Sequence, residues 1–245
     1  MRQLIAGNWK MNGLRGSARD LARALRAGAG DIGCQLLACP PATVLAEVAD
    51  ILAGSNIAVG GQNCHAAASG PHTGDISAPM LRDCGASWVI LGHSERRANH
   101  GETDDSVRAK VLAAVSCGLT PLVCVGETEA QRESGRDTET VGWQIAGSLP
   151  KDFSGVVAYE PLWAIGTGRP AGEDDIVTMH GFIRAELRRE LGPRGASIPI
   201  IYGGSVKPDN AAALLSLPDV AGALIGGASL VAADFLAIAR AAKAG

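Results

Sequence analysis

Three residues of different acid–base character stand just past short apolar runs. Lys10 follows Gln3–Gly7, His93 follows the run that ends at Gly92, and Glu160 follows Val156–Tyr159. A cation, an imidazole and a carboxylate brought together can stabilise an oxyanion, relay a proton and abstract one. Each residue alone has a plainer reading. Glu160 could be half of a salt bridge, His93 a core or capping histidine, Lys10 a solvated surface group. Two features sharpen the chemistry. A carboxylate at an apolar strand end is desolvated, which raises its basicity. An imidazole where a strand passes into a helix faces the positive end of the helix dipole, which favours the neutral ring. An unpaired ammonium in such a site needs an anion, and Glu95 can supply one while the site is empty.

Glycine pairs add a second chemistry. Gly203-Gly204-Ser205 and Gly226-Gly227 offer unhindered backbone N–H groups at loop ends and helix starts, a pattern suited to phosphate. After Glu160 comes Pro161-Leu162-Trp163-Ala164-Ile165-Gly166-Thr167-Gly168. An apolar loop bounded by Pro and Gly and carrying a Trp is costly to leave solvated, so it reads as a lid that closes over a ligand. His65, His72, His100 and His180 follow no strand and receive no role.

Elements must bring these positions together. Apolar runs occur at Gln3–Gly7, Gln35–Ala38, Ile57–Gly60, Trp88–Gly92, Pro121–Val125, Val156–Tyr159, Pro199–Tyr202 and Ala223–Ile225. They lack polar alternation, as parallel strands covered on both faces do. Between them lie helical stretches with caps and stops. Ser17 caps 18–27, Thr43 starts the stretch to 52, Ser77 caps a helix ended by Gly85, and Thr103 caps 104–117. Helix 138–148 follows. Acidic residues 173–175 open a helix to Leu191, Asp209 caps 210–217, and 232–242 is the last. Strand starts recur about every 31 residues, the size of one βα unit. The first strand ends in Gly7-Asn8-Trp9-Lys10, which lacks a dinucleotide fingerprint. The expectation is one domain over 1–245, an α/β (β/α)8 barrel, rather than an open doubly wound sheet. In such barrels the site lies at the C-terminal ends of the strands. That rule selects Asn8, Lys10, His93, Glu95, Glu127, Glu160 and Ser205, with Gly226-Gly227 after the last strand.

Composition agrees. The chain has 245 residues, 47 % of them hydrophobic and 19 % charged, enough for a sizeable core. Glycine is over-represented, 32 residues against a usual share of about 7 %. The net charge of −3 and the lack of a basic block argue against nucleic-acid and membrane-surface partners. No apolar run reaches the ~20 residues of a membrane helix, and the N-terminus has no signal-peptide pattern. The six cysteines, Cys34, Cys39, Cys64, Cys84, Cys117 and Cys124, form no CxxC pair and no zinc spacing. They read as reduced thiols of a cytoplasmic protein.

Five segments resemble the triosephosphate isomerase family: GNWKMNG (Gly7–Gly13), GHSERR (Gly92–Arg97), AYEPLWAIGTGR (Ala158–Arg169), YGGSV (Tyr202–Val206) and GALIGGASL (Gly222–Leu230). Weaker matches, including Gln62-Asn63, His72–Ser77 and Cys124–Glu129, extend the likeness along nearly the whole chain. The resemblance implies interconversion of dihydroxyacetone phosphate and D-glyceraldehyde 3-phosphate through an enediol(ate), without metal or organic cofactor. It implies Glu160 as base, His93 as neutral electrophile, Lys10 as the stabilising cation and Asn8 as a polar contact beside it. Gly166, Ser205, Gly226 and Gly227 match a phosphate grip, and Pro161–Arg169 a closing lid. Trp163 would meet Glu127 on closure, with Tyr202 and Ser205 also latching the loop. The segment Gly70–Ile76, with Thr73 reaching a partner's site, implies a homodimer.

There are departures. Leu162 and Arg169 stand where the family usually has Val and Lys, and Trp88 replaces Tyr or Phe. Ala221 replaces an Asp that usually pairs with the arginine matching Arg184, so Arg184 is expected to find another acid, Asp219, or to face solvent. Two other readings remain: an isomerase of a four-carbon ketose phosphate, and a silent phosphate-binding barrel. Retention of Lys10, His93, Glu160 and the lid argues against the second.

Overall fold

Parallel strands buried on both faces need a crossover between each consecutive pair, and this chain supplies one every time. The structure is a computed structural model that describes residues 2–165 and 171–243. In chain order its elements are β1 (Leu4–Asn8), α1 (Arg15–Gly28), β2 (Gln35–Cys39), α2 (Leu45–Leu52), β3 (Ile57–Gly61), α3 (Ala78–Asp83), β4 (Trp88–Leu91), α4 (Ser94–His100) and α5 (Asp104–Ser116). They continue with β5 (Thr120–Val125), α6 (Glu129–Glu133), α7 (Asp137–Ser148), β6 (Val156–Tyr159), α8 (Glu173–Leu191), β7 (Ile200–Tyr202), α9 (Ala211–Ser216), β8 (Gly222–Ile225) and α10 (Ala232–Ala241). The strands close in sequence order into an all-parallel barrel. Leu4 is the seam, paired with Gln35 on one side and Gly222 on the other. The expected (β/α)8 barrel is the observed architecture.

Two apolar layers hold it. Leu4, Ala6, Leu37, Ile90, Leu122, Val156, Ala158, Ile201 and Leu224 fill the barrel interior. Ile5, Leu36, Val89, Val123, Val157 and Tyr159 face the helices. The two-residue strand period separates these sets, and it also aims the site. Continuing inward from Leu4 and Ala6 gives Asn8. Continuing from Val156 and Ala158 gives Glu160. Each functional group is the next inward position after a packed interior, so the core fixes where it points.

Caps follow the sequence in part. Ser77 Oγ accepts from Met80 N and Thr103 Oγ1 from Ser106 N, at 3.4 and 3.2 Å. Gly85 and Gly118 end their helices at positive φ. Ser17 does not cap α1; it lies inside the helix and donates to Leu14 O at 3.1 Å. Asp209 does not cap α9 either. Asn210 holds that position, and its Oδ1 accepts from Lys207 N at 2.8 Å. Helices α4 and α6 escaped sequence reading because neither buries a residue, so neither has an apolar stripe. All six cysteines are free thiols; Cys84 and Cys117 are partly exposed and the other four buried.

The missing acid at Ala221 is replaced as anticipated. Arg184 Nε donates to Asp219 Oδ1 at 2.9 Å, and its Nη1 donates to the carbonyls of Gly195 and Ile198 at 2.8 and 2.7 Å. Asp219 adopts φ 55° to do this.

Barrel closure generates a stability test. Gly222 has φ +144°, and a Cβ there would lie 1.9 Å from the Leu4 carbonyl oxygen. Gly222→Ala is expected to cost about 3 kcal/mol or more by denaturant unfolding. Gly181, inside α8 with open space around it, is the control. Gly181→Ala is expected to stabilise by about 0.5–1 kcal/mol. Equal effects of the two would contradict this account of the seam.

Candidate active site

The C-terminal ends of the strands surround a cavity of about 640 Å3, lined by Asn8, Lys10, His93, Glu160, Ile165, Ser205, Gly226 and Gly227 among others. The acid–base set selected from sequence therefore converges on one space. Gly166, Thr167, Gly168 and Arg169 lie outside the described residues.

Its centre is built on the first turn of α4. The leading N–H groups of a helix have no partner within it. Here Ser94 N donates to Glu160 Oε2 at 2.9 Å, and Glu95 N donates to His93 Nδ1 at 3.2 Å. His93 is itself the N-cap. Because Nδ1 accepts a hydrogen bond, the neutral ring carries its proton on Nε2. That nitrogen lies 2.9 Å from Glu160 Oε1. Both side chains are almost fully buried. Burial alone would raise the Glu160 carboxyl, but the His93 ring, the Ser94 N–H and the Lys10 ammonium hold it below the usual carboxylate range. Burial opposes charge on His93, yet Glu160, with a smaller contribution from Glu95, lifts the ring above its ordinary value. The expected dipole effect on the ring is thus outweighed while Glu160 rests against it.

Lys10 is held by strain and by partners. It is one of two non-glycine residues at positive φ among the described residues, at 53°. Asn8 Oδ1 accepts its backbone N–H at 3.0 Å, and Gln62 Nε2 donates to its carbonyl at 2.8 Å and to Cys39 O at 2.9 Å. Local strain of this kind persists where neighbours over-determine the backbone. The ammonium meets Glu95 Oε1 at 2.6 Å, the pairing anticipated from the sequence.

Gly226 and Gly227 face the cavity. A Cβ on Gly226 would come 3.4 Å from Lys10 Cε, and one on Gly227 would meet open space, so the protein's own atoms do not require glycine at 227. Gly204 is different, since its Cβ would lie 2.1 Å from the Tyr202 hydroxyl. Ser205 and the loop after β7 are stitched by Asn210, whose Nδ2 donates to Ser205 O at 3.2 Å.

Glu127 and Trp163 stand behind this surface and are in direct contact. Glu127 Oε1 accepts from Trp163 Nε1 at 2.7 Å and from the Tyr159 hydroxyl at 2.9 Å. Burial, with Oε2 unpaired among the described residues, pushes this carboxyl above its usual range. Arg132 stacks on the Trp163 ring, 4.3 Å from its centroid, and pairs with Asp175 at 2.6 Å. Pro161 precedes the single turn Leu162–Ala164 that carries the indole. Tyr202 is buried at the end of β7. Thr73 lies in an exposed loop between Gly70 and Gly74, both at positive φ, far along the chain from any cavity-lining residue.

Sequence reasoning missed the Ser94 and Glu95 amides, Gln62 as the clamp on Lys10, and Arg132. Backbone donors leave no residue-type signal. Lys207, another cavity-lining cation, was legible only as a residue shortly after a strand.

A family model described as triosephosphate isomerase matches residues 3–242. The triosephosphate isomerase of Granulibacter bethesdensis is 62 % identical over 247 residues, covering 98 % of this chain and 99 % of that protein. That of Gluconacetobacter diazotrophicus is 57 % identical, covering 99 % of each. The crystal structure of triosephosphate isomerase from Bartonella henselae superposes with a TM-score of 0.92 at 50 % identity, covering 98 % of this chain and 99 % of that one.

The coupling of the two buried groups is open to measurement by 15N NMR of His93 across pH. In the empty protein Nδ1 should carry the signature of a bare acceptor when the ring is neutral. Glu160→Gln removes the anion that raises the ring, so the His93 midpoint should fall. An unchanged midpoint would contradict the assigned contact.

Proposed function

The chain belongs to the triosephosphate isomerase family and interconverts dihydroxyacetone phosphate and D-glyceraldehyde 3-phosphate, and from that premise we propose how its residues divide the work. Glu160 is the base. It leaves the Ser94 N–H, takes a proton from the carbon next to the carbonyl, and returns it to the neighbouring carbon. His93 donates its Nε2 proton to the carbonyl oxygen and relays protons between the two oxygens of the enediol(ate). Once Glu160 turns to the substrate, the main influence raising the His93 ring is gone, while burial and Lys10 favour the neutral ring. Lys10 exchanges Glu95 for the developing oxyanion, with Asn8 beside it. The observation that carries this reading is the shared anchoring of Glu160 and His93 on successive amides of α4.

The phosphate grip is assigned to backbone groups of Gly226 and Gly227, to Ser205 and to Gly166. The lid is assigned to Pro161, Trp163, Ile165, Thr167 and Gly168, with Glu127 and Tyr202 as its supports. An enediolate next to a phosphate ester can expel the phosphate, so excluding water and holding the phosphate in plane protects the intermediate.

Two wider assignments follow. Met11, Leu14 and Met80 are exposed, Met11 at 96 %, and such exposed apolar side chains support a second copy that covers them, with Thr73 reaching across. Sedimentation at micromolar protein should give a dimer mass; a monomer would overturn that assignment. A cytoplasmic setting fits six free thiols. Among the described residues no helix is long and apolar enough to cross a membrane.

A coupled assay with glyceraldehyde 3-phosphate tests the roles. Glu160→Asp should lower kcat about 10²-fold through displacement of the base, with inorganic phosphate affinity nearly unchanged. Lys10→Ala should lower kcat by about 10²–10³ and raise KM as well. Wild-type turnover in the first variant, or unchanged kcat and KM in the second, would remove that residue from its role.

A further inference from the structure

His180 follows no strand and is fully buried in α8. Its ring Nδ1–H donates to the carbonyl of Asp219 at 3.0 Å. The other nitrogen, Nε2, is buried and bonds nothing among the described residues. A simple space-filling position would not need a polar ring with one nitrogen unsatisfied. What the ring touches is informative. It meets the Tyr159 ring edge-to-face, with centroids 5.9 Å apart and planes at 82°.

Tyr159 directly precedes Glu160. Its hydroxyl donates to the same Glu127 oxygen that accepts the Trp163 indole N–H. Its backbone carbonyl accepts from Gly203 N at 2.7 Å, where the loop after β7 begins. The phenol thus sits between the base, the lid's tryptophan and the proposed phosphate loop, and the His180 ring bounds it from the helix side. His180 in turn cannot drift, because Asp219 is fixed by Arg184 and by its own left-handed backbone.

We propose that His180 is a positioning residue for the isomerase. Its neutral ring is a fixed stop against Tyr159 that keeps the phenol on Glu127, and so keeps Glu127 oriented for the Trp163 lid anchor. The proposal rests on the reading of Glu160 as base and of Trp163 as an anchor of the lid. The charged groups facing the ring are Asp219 and Arg184 from its polar side, with Glu127 and Arg132 beyond the phenol. Burial pushes its pKa down to about 4, so the ring stays neutral through the working range and charges only in acid.

The readout is the product partition from dihydroxyacetone phosphate: glyceraldehyde 3-phosphate against methylglyoxal plus inorganic phosphate. A loosened lid shifts it, whereas a purely structural loss does not. His180→Gln keeps a donor for Asp219 but removes the ring. It should raise the methylglyoxal share and lower kcat, each by roughly 3- to 10-fold, with KM within about twofold. His180→Phe keeps a ring against Tyr159. It should retain the wild-type partition while its Tm falls, since the Asp219 carbonyl loses its donor. Tyr159→Phe should reproduce the His180→Gln phenotype, and adding His180→Gln to it should change nothing more. The proposal is overturned if His180→Gln only lowers Tm, if His180→Phe is as leaky as His180→Gln, or if the two effects multiply in the double variant. Should His180→Gln not fold, the opposite behaviours expected of His180→Phe and Tyr159→Phe still decide. A wild-type enzyme that fails to isomerise would instead sink the reading of the site, which separates the two failures.

Discussion

Two backbone amides at the start of α4 hold the chemistry of this molecule in place. One binds the Glu160 carboxylate and the next binds Nδ1 of His93, so the base and the electrophile are positioned by one rigid turn. The consequences are electrostatic as well as geometric. The amide on Nδ1 dictates the ring tautomer and leaves Nε2–H as the donor facing the site. The His93 ring, with the Ser94 amide and the Lys10 ammonium, keeps Glu160 below the usual carboxylate range in a place where burial alone would raise it. A helix of seven residues with no buried side chain contributes nothing to the core, yet the site depends on where it begins.

The barrel makes that turn possible. Alternation along the strands sends Asn8 and Glu160 inward immediately above a packed interior, and the closed strand order brings residues more than 60 positions apart into contact. Two non-glycine residues at positive φ mark where the chain departs from easy geometry. Lys10 does so at the site, clamped by Asn8 and Gln62. Asp219 does so behind it, holding Arg184 and His180. Both are compensated by hydrogen bonds, consistent with strain kept where function or fixation needs it.

Most of the architecture was legible in the sequence because βα units repeat and buried parallel strands are uninterruptedly apolar. Lys10, His93 and Glu160 were legible because strand ends in such a barrel converge. Three things were not. The helices α4 and α6 lack an apolar face, so periodicity is silent about them. The cap of α9 lies one residue beyond Asp209, because Asn210 reaches back to Lys207 while also gripping Ser205. The hydrogen bond by which Tyr159 holds Glu127 beside Trp163 carries no residue-type signal, since a tyrosine at a strand end reads first as core. The replacement for the acid missing at Ala221 was readable, since Asp219 lies only two residues away.

The central claim is that Glu160 rests on the Ser94 amide and departs from it to act, while the Glu95 amide keeps His93 in a single tautomer throughout. A crystal structure with a short phosphorylated carboxylate, mimicking the enediolate, tests it most directly. Glu160 should have left the Ser94 N–H and reached the ligand carbon, with His93 Nδ1 still accepting from Glu95 N and Nε2 on a ligand oxygen. A ligand-filled site with Glu160 unmoved on Ser94, or with His93 turned off the Glu95 amide, would contradict it.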